Sequence, residues 1–356
     1  MHILKGYTKQ EISWMMYDWA NSAHSVIIVT LLPIFFDTVA GYTADSVSSM
    51  STWGYATSIA MLIVALAAPF LGVFGDIRGM RKKLFSFFML LGVAACAGMA
   101  FTPGMDFTSG PVAAGKVASL ILVLYIVSVI GFDASAIYYD AFLTDVTIED
   151  RMDKVSTMGY GLGYIGGSTI PLLIFLIMNL VGVPMLTCLA FVFGLTAVWW
   201  LAFSLPLLKN CEQTSGKPYE KGDVARSIKG VGTTIKEIIA NKPMLIYILS
   251  YFFYIDGVHT VISMATTYGT NLGLDSTGMM LALLLVQILG LPFCLLYIKC
   301  SEKFGARTMV GFGICVYMFI CIFAFFMNSL WQFWVLAVLC ATSQGGIQAL
   351  SRSMYG

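Results

Sequence analysis

Ten long apolar stretches constrain this chain more than any other feature of its sequence. Each holds about 20 residues with few charges, which is the length an α-helix needs to cross the hydrocarbon layer of a membrane. Hydrophobic residues make up 58% of the chain and charged residues 11%, whereas a soluble domain is about one quarter charged. The sequence therefore predicts an all-α membrane protein with ten transmembrane helices, at residues 14–36, 53–74, 84–101, 117–143, 156–178, 184–205, 244–268, 279–298, 309–327 and 331–350.

Lysine and arginine are unevenly distributed between the connecting loops. If the N-terminus faces the cytoplasm, every Lys and Arg except Lys116 lies at the cytoplasmic side. Membrane proteins retain positive charge on that side. We therefore predict an integral, multi-pass protein of a bacterial inner membrane with both termini in the cytoplasm. The net charge of +1 gives no reason to expect nucleic acid as a partner.

The order of the apolar stretches predicts two bundles. Six stretches lie in residues 1–206 and four lie in residues 244–356, with a polar linker at 207–243 between them. Part of the linker has apolar residues at steps of three and four, which is typical of an amphipathic helix on a membrane surface. A disordered tether is the alternative, because Gly230 and Gly232 interrupt the pattern. The apolar positions are Val224, Ile228, Val231, Ile235 and Ile238.

Two stretches carry the same pattern of polar residues, "YDWANSAHS" at 17–25 and "YIDGVHTVIS" at 254–263. In each, an aspartate is followed by polar residues three, four and seven positions later, so each set lies along one helical face. A carboxylate near the membrane centre costs at least ~2.5 kcal/mol, so such residues face protein or water. The candidates for solute binding and coupling are Asp18, Asn21, Ser22, Ser25, Asp133, Asp140, Asp256, His259, Thr260, Ser263, Gln344 and Gln348.

The position of each aspartate in its helix decides which role we expect. Asp18 and Asp140 lie near helix ends, where polar residues also hold helices together without further function. Asp256 lies about 12 residues into its stretch, near the membrane midplane. We therefore expect Asp256 to couple transport to protons, with His259 and Thr260 one turn along. The lack of Lys and Arg at mid-depth disfavours a strongly anionic solute.

The loops after the second and eighth stretches share a further pattern. "GVFGDIRGMRKK" and "SEKFGARTM" both place an acid, a glycine and an arginine at the spacing acid-x2-G-x-R. A parallel internal repeat of this kind is typical of secondary transporters. The expected gating residues are Gly72, Asp76, Arg78, Gly79 and Arg81 in the first loop, and Glu302, Lys303, Gly305 and Arg307 in the second.

Both loops resemble the cytoplasmic gating motif of the major facilitator superfamily, although Ile77 and Met80 stand where that motif usually carries basic residues. Four further segments, "YDWANSAHS", "YYDAFLTDV" with "DKVSTMGYGLGYIGG", "YFFYIDGVHTVISMATTYG" and "SQGGIQALSRS", are similar to the vacuolar effluxer-like family of that superfamily. The resemblance implies a major facilitator fold and membrane transport. Fungal members are linked to amino-acid release from the vacuole, which makes amino acids a candidate solute class.

Members of that family have twelve crossings, whereas this sequence reaches ten. The resemblance therefore implies a second bundle that lacks two helices. In the superfamily the first gating aspartate caps the eleventh helix, so Asp76 is expected to have no such partner. Glu302 is expected to cap the fifth helix near Ser156.

Other sequence patterns predict helix packing and do not predict a cofactor site, a metal site or a disulfide. "GLGYIGG" has dinucleotide-site spacing, but it lies inside a membrane stretch, so Gly159, Gly163 and Gly167 are expected to form a smooth face for close helix contact. Scattered histidines and eight cysteines without a CxxC pair predict no metal, cofactor or disulfide.

These observations predict a secondary active transporter that moves a small polar solute by alternating access, with amino acids as a candidate class and protons as a candidate coupling ion. Its expected partners are the solute and the lipid bilayer. The alternative is a truncated, non-transporting membrane scaffold or regulator. An enzyme is disfavoured, because no grouping of nucleophile, base and metal ligands is visible.

Overall fold

The computed structural model of the protein describes residues 4–43, 46–216 and 223–354. Helices dominate these ranges, which also contain a 3₁₀ turn at Thr102–Gly104 and a π-helical segment at Gly163–Ser168. The α-helices are α1 (Lys9–Ala40), α2 (Ser46–Gly75), α3 (Arg81–Met99), α4 (Pro111–Ala141), α5 (Leu143–Val146), α6 (Glu149–Leu162), α7 (Thr169–Leu180), α8 (Met185–Asn210), α9 (Asp223–Ala240), α10 (Lys242–Asn271), α11 (Ser276–Phe304), α12 (Ala306–Phe325) and α13 (Leu330–Ser353).

Ten helical segments of the described residues are long and apolar enough to cross a membrane, six before α9 and four after it. The all-α fold class and the number of crossings predicted from the sequence are therefore confirmed. Several segments are longer than their predicted stretches. The fifth runs over Glu149–Leu180 and joins α6, the π-helical segment and α7, whereas the prediction covered 156–178. Its first two turns carry charged residues, so apolar patterning does not reveal them.

Helix α1 begins at a capping box. Thr8 Oγ1 accepts from the amide of Glu11, and the Glu11 carboxylate accepts from the amide of Thr8. The same carboxylate accepts two hydrogen bonds from Arg151, from Nε at 2.9 Å and from Nη2 at 2.8 Å, and a third from Thr147. One acid thus caps α1 and fastens it to the start of α6.

The glycine face predicted on the fifth crossing packs against α1. A Cβ atom at Gly159 would collide with the Asp18 carboxylate, and one at Gly163 would collide with the Ser22 hydroxyl. At Gly167 it would collide with the carbonyl of Trp19. The expected close helix contact is confirmed, and it brings the polar face of α1 to the centre of the molecule.

Buried apolar side chains form two main clusters. The larger cluster surrounds α1 and includes Trp14, Tyr17, Tyr139 and Trp200. The smaller cluster joins helices α10 to α13 and includes Tyr317. Residues before the linker supply most of the first cluster. The boundaries of two separate bundles remain a prediction.

Helix α9 occupies the linker and contacts α2. The side chains of residues 223–229 and 234–235 lie outside those that the structure describes, and they include the predicted apolar positions Val224, Ile228 and Ile235. The membrane-surface position of this helix therefore stays a prediction.

Candidate functional site

A cavity of about 1230 Å³ lies between helices from both sides of the linker. Helices α1, α2 and α4 and the π-helical segment line it from the N-terminal part of the chain, and α10 to α13 line it from the C-terminal part. The cavity brings together eleven of the predicted binding and coupling residues, Asp18, Asn21, Ser22, Ser25, Asp133, Asp140, His259, Thr260, Ser263, Gln344 and Gln348.

Asp256 is the predicted coupling residue that does not line this cavity. Helix α10 faces the cavity with Tyr251, Ile255 and the residues from His259 to Thr266. Thr260 and Ser263, which share a helical face with Asp256, line the cavity, whereas Asp256 is exposed and does not line it. The matched faces of the two sequence repeats therefore differ in which side chain they present to the cavity.

Arg352 joins α13 to three helices of the N-terminal part of the chain. Its Nη2 donates to Asp18 Oδ2 at 3.1 Å, and its Nη1 lies 3.5 Å from Asp140 Oδ1. Nε donates to Ser156 Oγ at 2.8 Å, and Nη2 also donates to the Ser156 carbonyl at 2.9 Å. Both Arg352 and Asp18 are buried, whereas about half of the Asp140 side chain is exposed. We call Asp18, Asp140, Ser156 and Arg352 the Arg352 cluster.

Three aromatic rings surround the guanidinium group of Arg352. Its central carbon lies 4.4 Å from the ring centre of Tyr160, 4.6 Å from Trp14 and 5.3 Å from Tyr139. Such rings attract a cation more strongly when water is excluded. Together with two carboxylates, they explain how a full positive charge is accommodated inside the molecule.

The loop between α2 and α3 is organised around Arg81. This buried residue pairs with Asp145, which follows α4, and lies 3.9 Å from Asp76. Thr214 and Ser215 each donate a backbone and a hydroxyl hydrogen bond to the same Asp145 carboxylate. The carboxylate is therefore fully paired.

Gln213 fixes the turn in front of Arg81. Its Oε1 accepts from the amides of Gly79 and Arg81, and its Nε2 donates to the carbonyl of Gly75. The segment after α8 therefore holds the α2–α3 loop in place.

The second predicted gating loop has the same turn with different surroundings. Gly305 has φ +83° and Gly79 has φ +81°, a conformation that favours glycine, so the sequence repeat corresponds to a repeated backbone geometry. Glu302, Lys303 and Arg307 are exposed, as are Asp76 and Arg78 of the first loop. Gly72 lies inside α2.

The expected contact of Glu302 with the fifth crossing differs in the structure. Helix α6 begins at Glu149 and has Ile148 as its N-cap, without a side-chain cap. Ser156 is therefore in the third turn of that helix, where it is bonded to Arg352. A helix end that starts earlier than the apolar pattern suggests leaves no orphan amides near Ser156 for Glu302 to accept from.

Sequence reasoning missed three residues of this region, Tyr164, Gln287 and Arg352. Arg352 belongs to the quoted segment "SQGGIQALSRS" and was counted only as a basic residue at a helix end. Two aspartates near the predicted cytoplasmic ends of their helices were the available signal, because two carboxylates buried together require a cation nearby.

The described residues contain no group of three His, Cys, Asp or Glu side chains that converge as metal ligands. The eight cysteines are free thiols.

Comparisons with known proteins give consistent matches. Residues 7–150 and 144–356 match the family described as vacuole effluxer Atg22 like. The uncharacterized MFS-type transporter YxiO of Bacillus subtilis (strain 168) is 41% identical over 361 residues, which cover 99% of this chain and 82% of that protein. Autophagy-related protein 22-1 of Penicillium rubens is 23% identical over 239 residues, which cover 60% of this chain and 40% of that protein.

Two solved structures show a similar arrangement of helices. A crystal structure of a D-xylose-proton symporter has a TM-score of 0.60 at 16% identity and covers 97% of this chain and 86% of that chain. The proton:xylose symporter XylE bound to 6-bromo-6-deoxy-D-glucose has a TM-score of 0.63 at 14% identity, covering 97% and 85%. At these identities the likeness concerns the fold.

Proposed function

This chain belongs to the vacuole effluxer Atg22-like family, and from that membership we propose that it is a secondary active transporter of a small polar solute that works by alternating access. Its relatives and its major facilitator fold are those of membrane transporters and not of enzymes. Amino acids are the first solute class to test, because the family resemblance favours them.

The cavity is the observation that carries this proposal. It is lined from both sides of the linker, and polar side chains of α1, α4, α10 and α13 face it. A solute bound there contacts both parts of the chain at once. Movement of one part against the other then changes the side from which the solute is reached.

The Arg352 cluster supports a role in that movement. It connects α13 with α1, α4 and α6 at the end of the molecule where α1 begins and α13 ends, which we call the basic face. We infer that these contacts hold the basic face closed and break when the cavity opens there.

Asp133 is the carboxylate best placed to couple transport to protons. It lines the cavity on α4, is half-buried, and has no hydrogen-bond or ion-pair partner among the described residues. Asp18 and Asp140, in contrast, share Arg352. Protonation of Asp133 changes the charge of the cavity without breaking an ion pair.

The predicted orientation places the basic face in the cytoplasm, with both termini on that side of a bacterial inner membrane. An impermeant reagent that labels a cysteine introduced at Arg78 only after cell disruption supports this orientation. Labelling in intact cells contradicts it.

Counterflow in proteoliposomes tests the transport proposal. Vesicles containing the purified chain and an unlabelled solute are diluted into the same solute at low radioactive concentration. Transient accumulation of label, absent from empty vesicles, supports transport by alternating access. Failure with every amino acid, amine and polyol tried would instead favour a non-transporting scaffold.

A further inference from the structure

The π-helical segment of the fifth crossing places Tyr164 between the two parts of the chain. On one side, Gly163, Gly166 and Gly167 pack against α1. On the other side, the Tyr164 ring packs on Gly345 of α13 and on Gly290 of α11, which lie too close to the ring to accept a Cβ atom. A π-helical turn inside a longer helix is frequently found at a functional site. Here it directs an aromatic side chain across the interface.

The hydroxyl group of Tyr164 has no hydrogen-bond partner, although the side chain is only 7% exposed. Gln287 of α11 has the same property. Its side chain is 6% exposed, and its carbonyl oxygen Oε1 has no partner. Gln287 precedes Gly290 by one helical turn, and both Tyr164 and Gln287 line the cavity. Buried polar groups normally have partners, so a ligand group that pairs with these two atoms removes the cost of leaving them unsatisfied.

The charges that line the cavity are not evenly distributed. Asp133 is on α4, Asp18 and Asp140 share Arg352 at the basic face, and Arg81 pairs with Asp145. The α11 lining contributes no charged residue, only the amide of Gln287 among its polar groups. A solute therefore meets a free carboxylate on the α4 side and neutral hydrogen-bonding groups on the α11 side.

We propose that Tyr164 and Gln287 form a neutral hydrogen-bonding subsite that takes an amide or hydroxyl group of the solute, while Asp133 takes a protonated amine of the same molecule. This proposal rests on the proposed transport function and narrows its substrate class. An amide oxygen accepts from the Tyr164 hydroxyl, and an amide N–H donates to Gln287 Oε1. A carboxylate has no proton to donate, so it leaves Gln287 Oε1 unpaired and facing a negative charge. Amino amides and amino alcohols are therefore bound more tightly than zwitterions.

Four small probes of similar size separate these contributions. L-leucinamide carries the amine and the amide, L-leucine replaces the amide by a carboxylate, 3-methylbutylamine keeps only the amine, and 4-methylpentanamide keeps only the amide. Binding to the purified full-length chain in detergent is measured from the thermal stabilisation at increasing probe concentration. We expect leucinamide to bind roughly tenfold more tightly than each of the other three.

Variants assign the effect to residues. Gln287→Leu and Tyr164→Phe should each reduce the leucinamide affinity several-fold and leave the 3-methylbutylamine affinity unchanged. Tyr297→Phe is the matched control, because Tyr297 packs against Gly346 between α11 and α13 but does not line the cavity. Thermal unfolding without any probe identifies a variant that has lost its fold, and Gln287→Met then replaces Gln287→Leu.

The outcomes distinguish this subsite from the transport proposal. If the parent chain binds leucine as tightly as leucinamide, or binds none of the four probes, the subsite does not exist as described. The same holds if both variants keep the parent's preference. Selective binding of leucinamide without counterflow of leucinamide supports the subsite and contradicts transport. Counterflow of leucine without preference for the amide supports transport and overturns the subsite.

Discussion

Replacing Arg352 by glutamine removes the cation that connects α13 with α1, α4 and α6. The Asp18 carboxylate then stays buried without its partner at 3.1 Å, and Ser156 loses two charged hydrogen bonds. Breaking one side of a buried ion pair costs about 3–5 kcal/mol. With an unfolding entropy of about 2.1 cal/mol/K per residue over 356 residues, this corresponds to a fall of about 4–7 °C in the unfolding temperature.

The same loss should also open the basic face. If the Arg352 cluster exists only in the closed arrangement, a loss of about 3 kcal/mol changes the balance of closed and open states by more than about 100-fold. Gln348 lines the cavity one turn before Arg352, so a cysteine placed there reports access. Labelling of Gln348→Cys by an impermeant maleimide should become at least about tenfold faster in Arg352→Gln. The native cysteines that are not buried are first replaced by alanine: Cys300, Cys315, Cys321 and Cys340.

Arg151→Gln provides the matched control. Arg151 pairs with the buried Glu11 at 2.8 Å, but both residues belong to the N-terminal part of the chain. We expect this variant to lose stability without faster labelling of Gln348→Cys. Equal labelling rates in Arg151→Gln and Arg352→Gln would refute the reasoning, since the Arg352 cluster would then contribute stability only. Asp18→Asn combined with Arg352→Gln should recover part of the lost stability, because no buried charge is left unpaired.

Three further predictions follow from described contacts. Gly167→Ala should destabilise the protein by about 1–3 kcal/mol, since its Cβ collides with α1, whereas Gly115→Ala, which has open space around it, should be neutral or slightly stabilising in the same thermal unfolding measurement. Asp133→Asn should abolish solute accumulation driven by a proton gradient and keep exchange of solutes without an amine, and Asp256→Asn should keep both; loss of accumulation only in Asp256→Asn would return the coupling role to that exposed residue. Gln213→Ala should accelerate hydrogen exchange roughly tenfold at the amide of Gly79, and unchanged exchange would show that the segment after α8 does not hold the loop.

The membrane-spanning fold was predictable because its signal is local. Continuous apolar stretches of about 20 residues identify a crossing without any knowledge of its neighbours. The spacing of Gly163 and Gly167, four residues apart, is also a local signal. It predicted a close helix contact, which the packing against α1 confirms. The resemblance to the vacuolar effluxer-like family is confirmed by the family match and by the relative from Bacillus subtilis.

The candidate site was only partly predictable, because its contacts join distant positions. Periodicity indicates that Asp18 shares a face with Asn21, but it does not indicate which residue of another helix meets that face. The π-helical turn that directs Tyr164 across the interface has no local sequence signal that separates it from an ordinary helix. The shared face on α10 was also insufficient, since Thr260 and Ser263 line the cavity and Asp256 on the same face does not.

Asp18 and Arg352 are 334 positions apart in the chain. Ribosomes extend a chain by about 5–20 residues per second, so Asp18 enters the membrane roughly 17–67 s before its partner is made. During that interval its carboxylate lacks its ion-pair partner, and an unpaired charge is costly among apolar helices. Synthesis of α13 ends this interval, and the ion pair then distinguishes chains that contain Arg352 from every shorter nascent chain.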